Sequence, residues 1–373
     1  MKEPEKTIDV TFALLRAGLW NHDIQLLPYS PIDYSAVYQL ADDQSVVGLV
    51  AAGLERVSDI KVQKPDALPF LKKVFSLEGR NASMNQFIEN LVVKMRKAGI
   101  YALLIKGQGV AQCYERPQWR SSGDIDFLLD DRNYLKAKTF LLPLAESSNP
   151  EGVYQKHQGM TIDSWTVELH GTLRCGLSYR IDWGLDDIQD DIFKNAAVRA
   201  WRDGETDVFI PGQDEDIFIV FTHILKHFYR GGIGLRQICD WCRLLWTYRD
   251  TINVDLLKER LRSMGMRTEW RAFAAFAVEY LGMSTEAMPM YDPASKWKRK
   301  AKRIRRFILA VGNFGHNRDS SYFEKYPYFL RKIISLGRRL GDLCRHAFIF
   351  PLGSIRFLPG IVFHGMRAAM RGE

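Results

Sequence analysis

Two aspartates stand two residues apart at the head of an apolar run, Gly123-Asp124-Ile125-Asp126-Phe127-Leu128-Leu129. A continuous apolar run of this length behind a glycine reads as a buried strand. Strand side chains alternate, so Asp124 and Asp126 share one side while Ile125 and Phe127 face the other. Two carboxylates held so close repel unless a cation lies between them. A divalent ion is the usual remedy, and hard oxygen ligands favour magnesium. The turn before them, Ser121-Ser122-Gly123, carries backbone N–H groups and hydroxyls able to hold phosphate oxygens. For D-x-D alone, a loop-to-strand junction with merely solvated acids is an equal alternative.

The rest of the chain places this run in a small mixed α/β unit flanked by helices, an α+β organisation. From Thr11 to Lys97 apolar residues recur at three- and four-residue steps, most clearly from Leu68 to Met95, which predicts helices. After Gly99 the character changes to Ile100-Tyr101-Ala102-Leu103-Leu104-Ile105, a run of strand length ending at Lys106-Gly107-Gln108-Gly109, with a helix expected from Val110 to Tyr114. Between Val153 and His170 two strand-like segments flank Gly159, the second being Trp165-Thr166-Val167-Glu168-Leu169-His170. Val208-Phe209-Ile210 adds a short strand before Pro211-Gly212, and helical periodicity returns from Ile217 to Leu281. The expected division is an N-terminal helical region (1–98), an α/β core (99–212), a C-terminal helical region (213–295) and a basic helical tail (296–373).

Charge is split along that division. The net charge of +8 conceals a tail from Lys296 onward with 18 basic and 4 acidic residues, against an acidic-leaning body. The stretch Lys296 to Arg306 is the single charge run, and Trp297, Ile304, Phe307, Ile308 and Val311 form an apolar seam within it. A surface helix with its opposite face solvated explains that pattern. Attraction of residues 296–373 to an anionic membrane surface or RNA is the functional alternative. The polar N-terminus and the five scattered cysteines suggest a cytoplasmic protein, peripheral to the membrane if the tail binds lipid.

Context strengthens the aspartate motif. Pairing of the short strands would bring Glu168 beside Asp124 and Asp126, giving three acids on one sheet face with the Lys106-Gly107 turn opposite. The order strand, K-G turn, helix, R-x-x-G-D-I-D strand and V-E-L-H strand resembles the nucleotidyltransferases of the DNA polymerase β-like superfamily. Within it, the pattern is similar to an uncharacterised bacterial nucleotidyltransferase family. The resemblance extends to His223-Ile224-Leu225-Lys226-His227 and to the helix carrying Asp240, and so covers about Ile100 to Leu245.

That resemblance implies a polymerase β-like sheet and transfer of a nucleoside monophosphate from a nucleoside triphosphate to an acceptor it does not name. It implies two Mg2+ ions on Asp124, Asp126 and Glu168, with Glu168 also helping to position or deprotonate the attacking hydroxyl. Lys106, Gly107, Gln108, Arg120, Ser122 and Gly123 become the expected nucleotide and phosphate contacts, and no stable DNA complex is expected. One departure stands out: the superfamily usually has Gly-Ser or Gly-Gly where this chain has Gly107-Gln108. A catalytically silent member serving as a binding or regulatory module is therefore the rival reading, along with an adaptor acting through the tail. His223, His227, Cys239 and Cys242 also have zinc-ligand spacing, although the first two fall within an apolar helix.

Overall fold

The computed structural model describes residues 3–151, 156–204, 206–313, 328–356 and 359. Four helices come first: α1 (Glu3–Trp20), α2 (Tyr34–Asp43), α3 (Val47–Leu54) and the long α4 (Lys64–Lys97). Asp33 caps α2 by accepting a hydrogen bond from the Ala36 N–H, satisfying one of the donors that a helix start leaves orphaned. Helices α1 and α3 cross at backbone contact. A Cβ on Gly18 would sit 1.9 Å from the Leu49 carbonyl oxygen, and one on Gly53 2.0 Å from that of Leu14, so both positions require glycine.

The sheet follows. Its strands are β1 (Leu103–Ile105), β2 (Ile125–Leu128), β3 (Ser147–Ser148), β4 (His157–Ile162) and β5 (Trp165–His170). Their spatial order is β1-β2-β5-β4-β3, with β2 and β5 parallel and every other neighbouring pair antiparallel. Helix α5 (Gly107–Ala111) follows β1, and α6 (Asp131–Leu141) follows β2. The helix expected over Val110 to Tyr114 thus begins earlier, directly at Gly107. The hairpin differs too. Gly159 lies inside β4, and the chain reverses at Asp163-Ser164, both with positive φ (47° and 66°), as a two-residue turn matched to strand twist demands.

Helix α7 (Tyr179–Lys194) was not apparent as a helix in the sequence reading, although Ile181, Leu185, Ile188 and Ile192 are its buried stripe and Ser178 caps it. Strands β6 (Val198–Asp203) and β7 (Thr206–Pro211) form a separate ribbon, of which only β7 was expected. The helices α8 (Gln213–Arg230), α9 (Leu235–Thr247), α10 (Val254–Ser263) and α11 (Arg267–Leu281) complete the body.

Two cores result. The smaller packs Leu104, Ile125, Phe127, Val167 and Leu169 from one sheet face against α4 and α6. The larger runs from Val10 to Phe350 and joins the first helices to the last ones. Ile105 and Leu128, from the other sheet face, belong to this larger core. Asp126 shares that face by the alternation of the strand, so the acids look toward the helical body. Beyond it, α12 (Ser295–Val311) buries Trp297, Ala301, Ile304, Phe307, Ile308 and Val311, which is the seam expected from the spacing. Lys296, Lys298, Arg299, Lys302, Arg303 and Arg306 remain exposed. Helix α13 (Tyr328–Ile349) packs against α12 and α8. Among the described residues no helix is long and apolar enough to cross a membrane. The tail's Phe357, Leu358, Ile361, Val362 and Phe363 lie outside the described residues.

Candidate active site

Parallel pairing of β2 with β5 sets Asp126 directly beside Glu168 and Leu128 beside His170. Asp124 lies two residues upstream of Asp126, exposed at the strand entrance, and the three expected acids line one cavity. Their electrostatics differ. Burial and then the neighbouring Glu168 and Asp126 push the Asp124 carboxyl above its ordinary range. Burial would also raise Asp126, but Lys106 and His170 hold it well below the usual carboxylate range. Burial acts likewise on Glu168, and hydrogen bonds from His157 and His170 bring it down to about 2.

Lys106 reaches Asp126 through an uncommon backbone. Its φ of 58° and ψ of −144° are conformations that side chains disfavour, at a cost of roughly 1–3 kcal/mol. Lys106 Nζ is 2.9 Å from Asp126 Oδ1, and His170 Nε2 is 2.8 Å from the same oxygen. His170 is therefore part of the acid cluster, a role left open by the sequence alone. His157 was missed altogether. It sits across from His170 in the β4–β5 register and places Nε2 3.0 Å from Glu168 Oε2. Locating the hairpin turn at Asp163-Ser164 would have revealed it.

The opposite side of the cavity, about 530 Å3 in volume, is furnished by α8 and α9 with His223, Lys226, His227 and Arg236. Burial and then Lys106 push Lys226 and His223 below their ordinary values, in the histidine's case far below. His227 is brought down to about 4, by burial first and Lys226 second. Lys226 bonds no acid among the described residues. Arg236 donates from Nη1 to the Ser121 carbonyl at 2.7 Å, while its buried Nε has no partner there. These cations thus face the acids of the strand wall across the cavity, with Asp240 of α9, held by Arg120, as the acid on their own side among the described residues.

Several expected phosphate contacts are placed differently. Arg120 is buried, with Nε 2.7 Å and Nη2 2.8 Å from the two oxygens of Asp240, to which Tyr114 also donates at 2.7 Å. Burial would raise Asp240, but Arg120 keeps it below its ordinary value. The Arg120 fork lines the cavity while being held by a carboxylate, and it ties the β2 entrance to α9. Gln108 does not line the cavity. It is buried against α4 and donates to Asn85 at 2.7 Å, so its bulk does not fill the space. Ser122 also lies off the cavity, its buried Oγ without a partner among the described residues. Lys106, Gly107, Arg120 and Gly123 do line it. On α4, Asn81 donates to the carbonyls of Gln118 (2.7 Å) and Arg120 (2.8 Å), fixing the loop that leads to Asp124.

The zinc-like spacing does not converge. Cys239 and Cys242 are buried in the larger core with thiols pushed up by burial, and the cluster with metal-ligand spacing among the described residues is His157, Glu168 and His170. A divalent cation fits the acid wall instead. Asp124 is raised by burial first and by Glu168 and Asp126 next, the latter a sign of crowded carboxylates, and Asp126 Oδ2 carries no hydrogen bond from a described residue.

Asp126 and Glu168 thus stand side by side on adjacent parallel strands, across a cavity from the cations of α8 and α9. The model of a family of uncharacterised nucleotidyltransferases matches residues 30–282, and the chain belongs to that family. The match ends before α12, leaving the basic region outside it. A crystal structure of an antigenic nucleotidyltransferase-like protein from Paracoccidioides brasiliensis is similar over 54% of this chain and 92% of its own, at 13% identity and a TM-score of 0.33. No curated protein matches the chain in sequence.

Proposed function

We propose that this protein transfers a nucleoside monophosphate from a nucleoside triphosphate to an acceptor hydroxyl or phosphate, using Mg2+. The observation that carries the reading is the pairing of Asp126 with Glu168, with Asp124 beside them, on the acid wall of a cavity whose other wall is basic. Asp124, Asp126 and Glu168 would hold the magnesium, two ions in this reading. When bound, it neutralises charge on the triphosphate and on the departing pyrophosphate.

The chain's own groups do the rest. Lys226 and Arg236 receive phosphate oxygens from the helical side, where an anion offsets the burial that disfavours the charge of Lys226. Lys106 holds Asp126 until substrate arrives, and its ammonium then offers a point charge to phosphate. Glu168, kept ionised by its histidine partners, is available to orient the attacking hydroxyl or accept its proton. Arg120 acts through Asp240 by fixing the loop before Asp124. In this reading the protein works in the cytoplasm.

Thermal shift of the full-length protein against each of the four ribonucleoside triphosphates with Mg2+ tests the proposal. Stabilisation by at least one, lost in Asp124→Asn, is the expected result. No shift with any of them overturns it in favour of a silent binding module. A second reading concerns the C-terminal region, where Phe348, Leu352 and Ile355 are 75%, 68% and 67% exposed near the cations of α12. That surface suits peripheral contact with an anionic membrane better than stacking on RNA bases. Sedimentation with anionic vesicles, compared with neutral ones, tests it, and equal recovery with both refutes it.

A further inference from the structure

We propose that His157, Glu168 and His170 form a cation position of mixed nitrogen and oxygen donors that takes a transition ion such as Mn2+ in preference to Mg2+. The ligand atoms of the three residues lie within 4.8 Å of one another. His157 Nε2 is 3.0 Å and His170 Nε2 3.5 Å from the same oxygen, Glu168 Oε2. Two ring nitrogens converging on one carboxylate oxygen are a donor set for a metal as well as for a proton.

The hairpin explains the convergence. His157 stands across from His170, and Glu168 is two residues before His170 on the same strand face. The residue across from Glu168 is Gly159. No side chain therefore stands over the carboxylate from β4, and His157 reaches it along the diagonal, a distance that long side chains span. The His157 and Glu168 side chains are 34% and 26% exposed, which leaves a path for an ion to enter. The position shares Glu168 with the magnesium set of the proposed function, and its two imidazoles set it apart from the all-oxygen pair Asp124 and Asp126. First-row transition ions accept imidazole nitrogen, Mn2+ the most weakly of them, whereas Mg2+ keeps to oxygen and retains water. His170 Nε2 also bonds Asp126 Oδ1, so an ion on that nitrogen would release the carboxylate toward Asp124.

This deepens the metal-dependent reading above, and it is tested without nucleotide so that the two fail separately. Metal-free full-length protein is titrated with Mn2+ followed by electron paramagnetic resonance, and with Mg2+ by competition. The wild type should show 14N couplings from two imidazoles and prefer Mn2+ by about tenfold or more. His157→Gln should lose one of those couplings and weaken Mn2+ binding about 10- to 100-fold, with Mg2+ affinity changed by less than about twofold and circular dichroism unaltered. Mn2+ bound through oxygen alone in the wild type, or an unchanged Mn2+ affinity in His157→Gln, overturns the proposal. Nitrogen-ligated Mn2+ with no thermal shift by any triphosphate would uphold this site and sink nucleotidyl transfer.

Discussion

The strand wall of the cavity and the helix wall facing it are charged in opposite senses and held in opposite ways. On β2 and β5 the acids are compensated already: Asp126 by Lys106 and His170, Glu168 by His157 and His170. On α8 and α9 the cations Lys226 and Arg236 are buried enough to be depressed, and neither is bonded to an acid among the described residues. On the strand wall Asp124 is left as the crowded carboxylate, whereas the helix wall holds cations that no described acid bonds directly. A polyanion with a bound cation satisfies both, because it brings negative charge to the helices and positive charge to the strands. The difference teaches that the two walls make opposite electrostatic demands, which the proposed magnesium–triphosphate ligand would meet together.

Breaking the acid wall should have the largest effect. Asp124→Asn removes an exposed carboxylate that supports no hydrogen bond, so turnover should fall by about 1,000-fold while the unfolding transition stays where it was. Steady-state kinetics beside a thermal melt would show whether activity and fold separate in this way. Next comes the tie between the walls. Asp240→Asn leaves the Arg120 guanidinium buried without its carboxylate, and urea unfolding should lose about 3 kcal/mol or more. A loss within about 0.5 kcal/mol would mean that Arg120 finds another partner, and its role as a phosphate contact would reopen.

The basic wall should respond in affinity rather than stability. Lys226→Met should weaken triphosphate binding about tenfold, the size of one hydrogen bond to a charged group, with no decrease in melting temperature, since a disfavoured buried charge is removed. Calorimetric titration with a triphosphate and Mg2+ measures it. The smallest effect at pH 7 is that of a histidine. His227 titrates at about 4 in the folded protein against 6.5 for the free group. Between those values the unfolded chain binds more protons there, so stability contributed by this residue rises with pH. His227→Gln, neutral in effect at pH 7, should flatten the stability profile between about pH 4 and 6.5 by up to about 3 kcal/mol, read from denaturant unfolding at successive pH values.

The two walls were also unequally legible in the sequence. Asp124, Asp126 and Glu168 could be placed together because strand alternation is local and short apolar strands have few ways to pair. His157 could not, because Gly159 looks like the break between strands while the reversal occurs at Asp163-Ser164, residues that tolerate positive φ without being glycine. Lys226 and Arg236 are ordinary polar positions on amphipathic helices. Only the packing of α8 and α9 over the sheet turns them inward, and that packing joins segments about a hundred residues apart. Arg120 shows the converse: its type and its place beside the aspartates suggested phosphate, but Asp240, 120 residues away, claims it. The helix α7 was hidden by its many acids, although its apolar residues keep a regular spacing.

The larger core carries a consequence for how the chain is made. Val10, Leu14 and Leu15 of α1 pack in the same cluster as Phe273 and Phe276 of α11 and Phe307 of α12, and Trp20 Nε1 donates to the Leu281 carbonyl. During synthesis at about 5–20 residues per second, α1 waits for roughly 10–50 seconds before α11 leaves the ribosome. Through that interval α2 to α10 can cover part of its apolar stripe, Arg243 and Trp246 of α9 included, but its contacts with α11 and α12 are unmet. The first helices of this protein are therefore the segment most in need of protection while the last ones are still being translated.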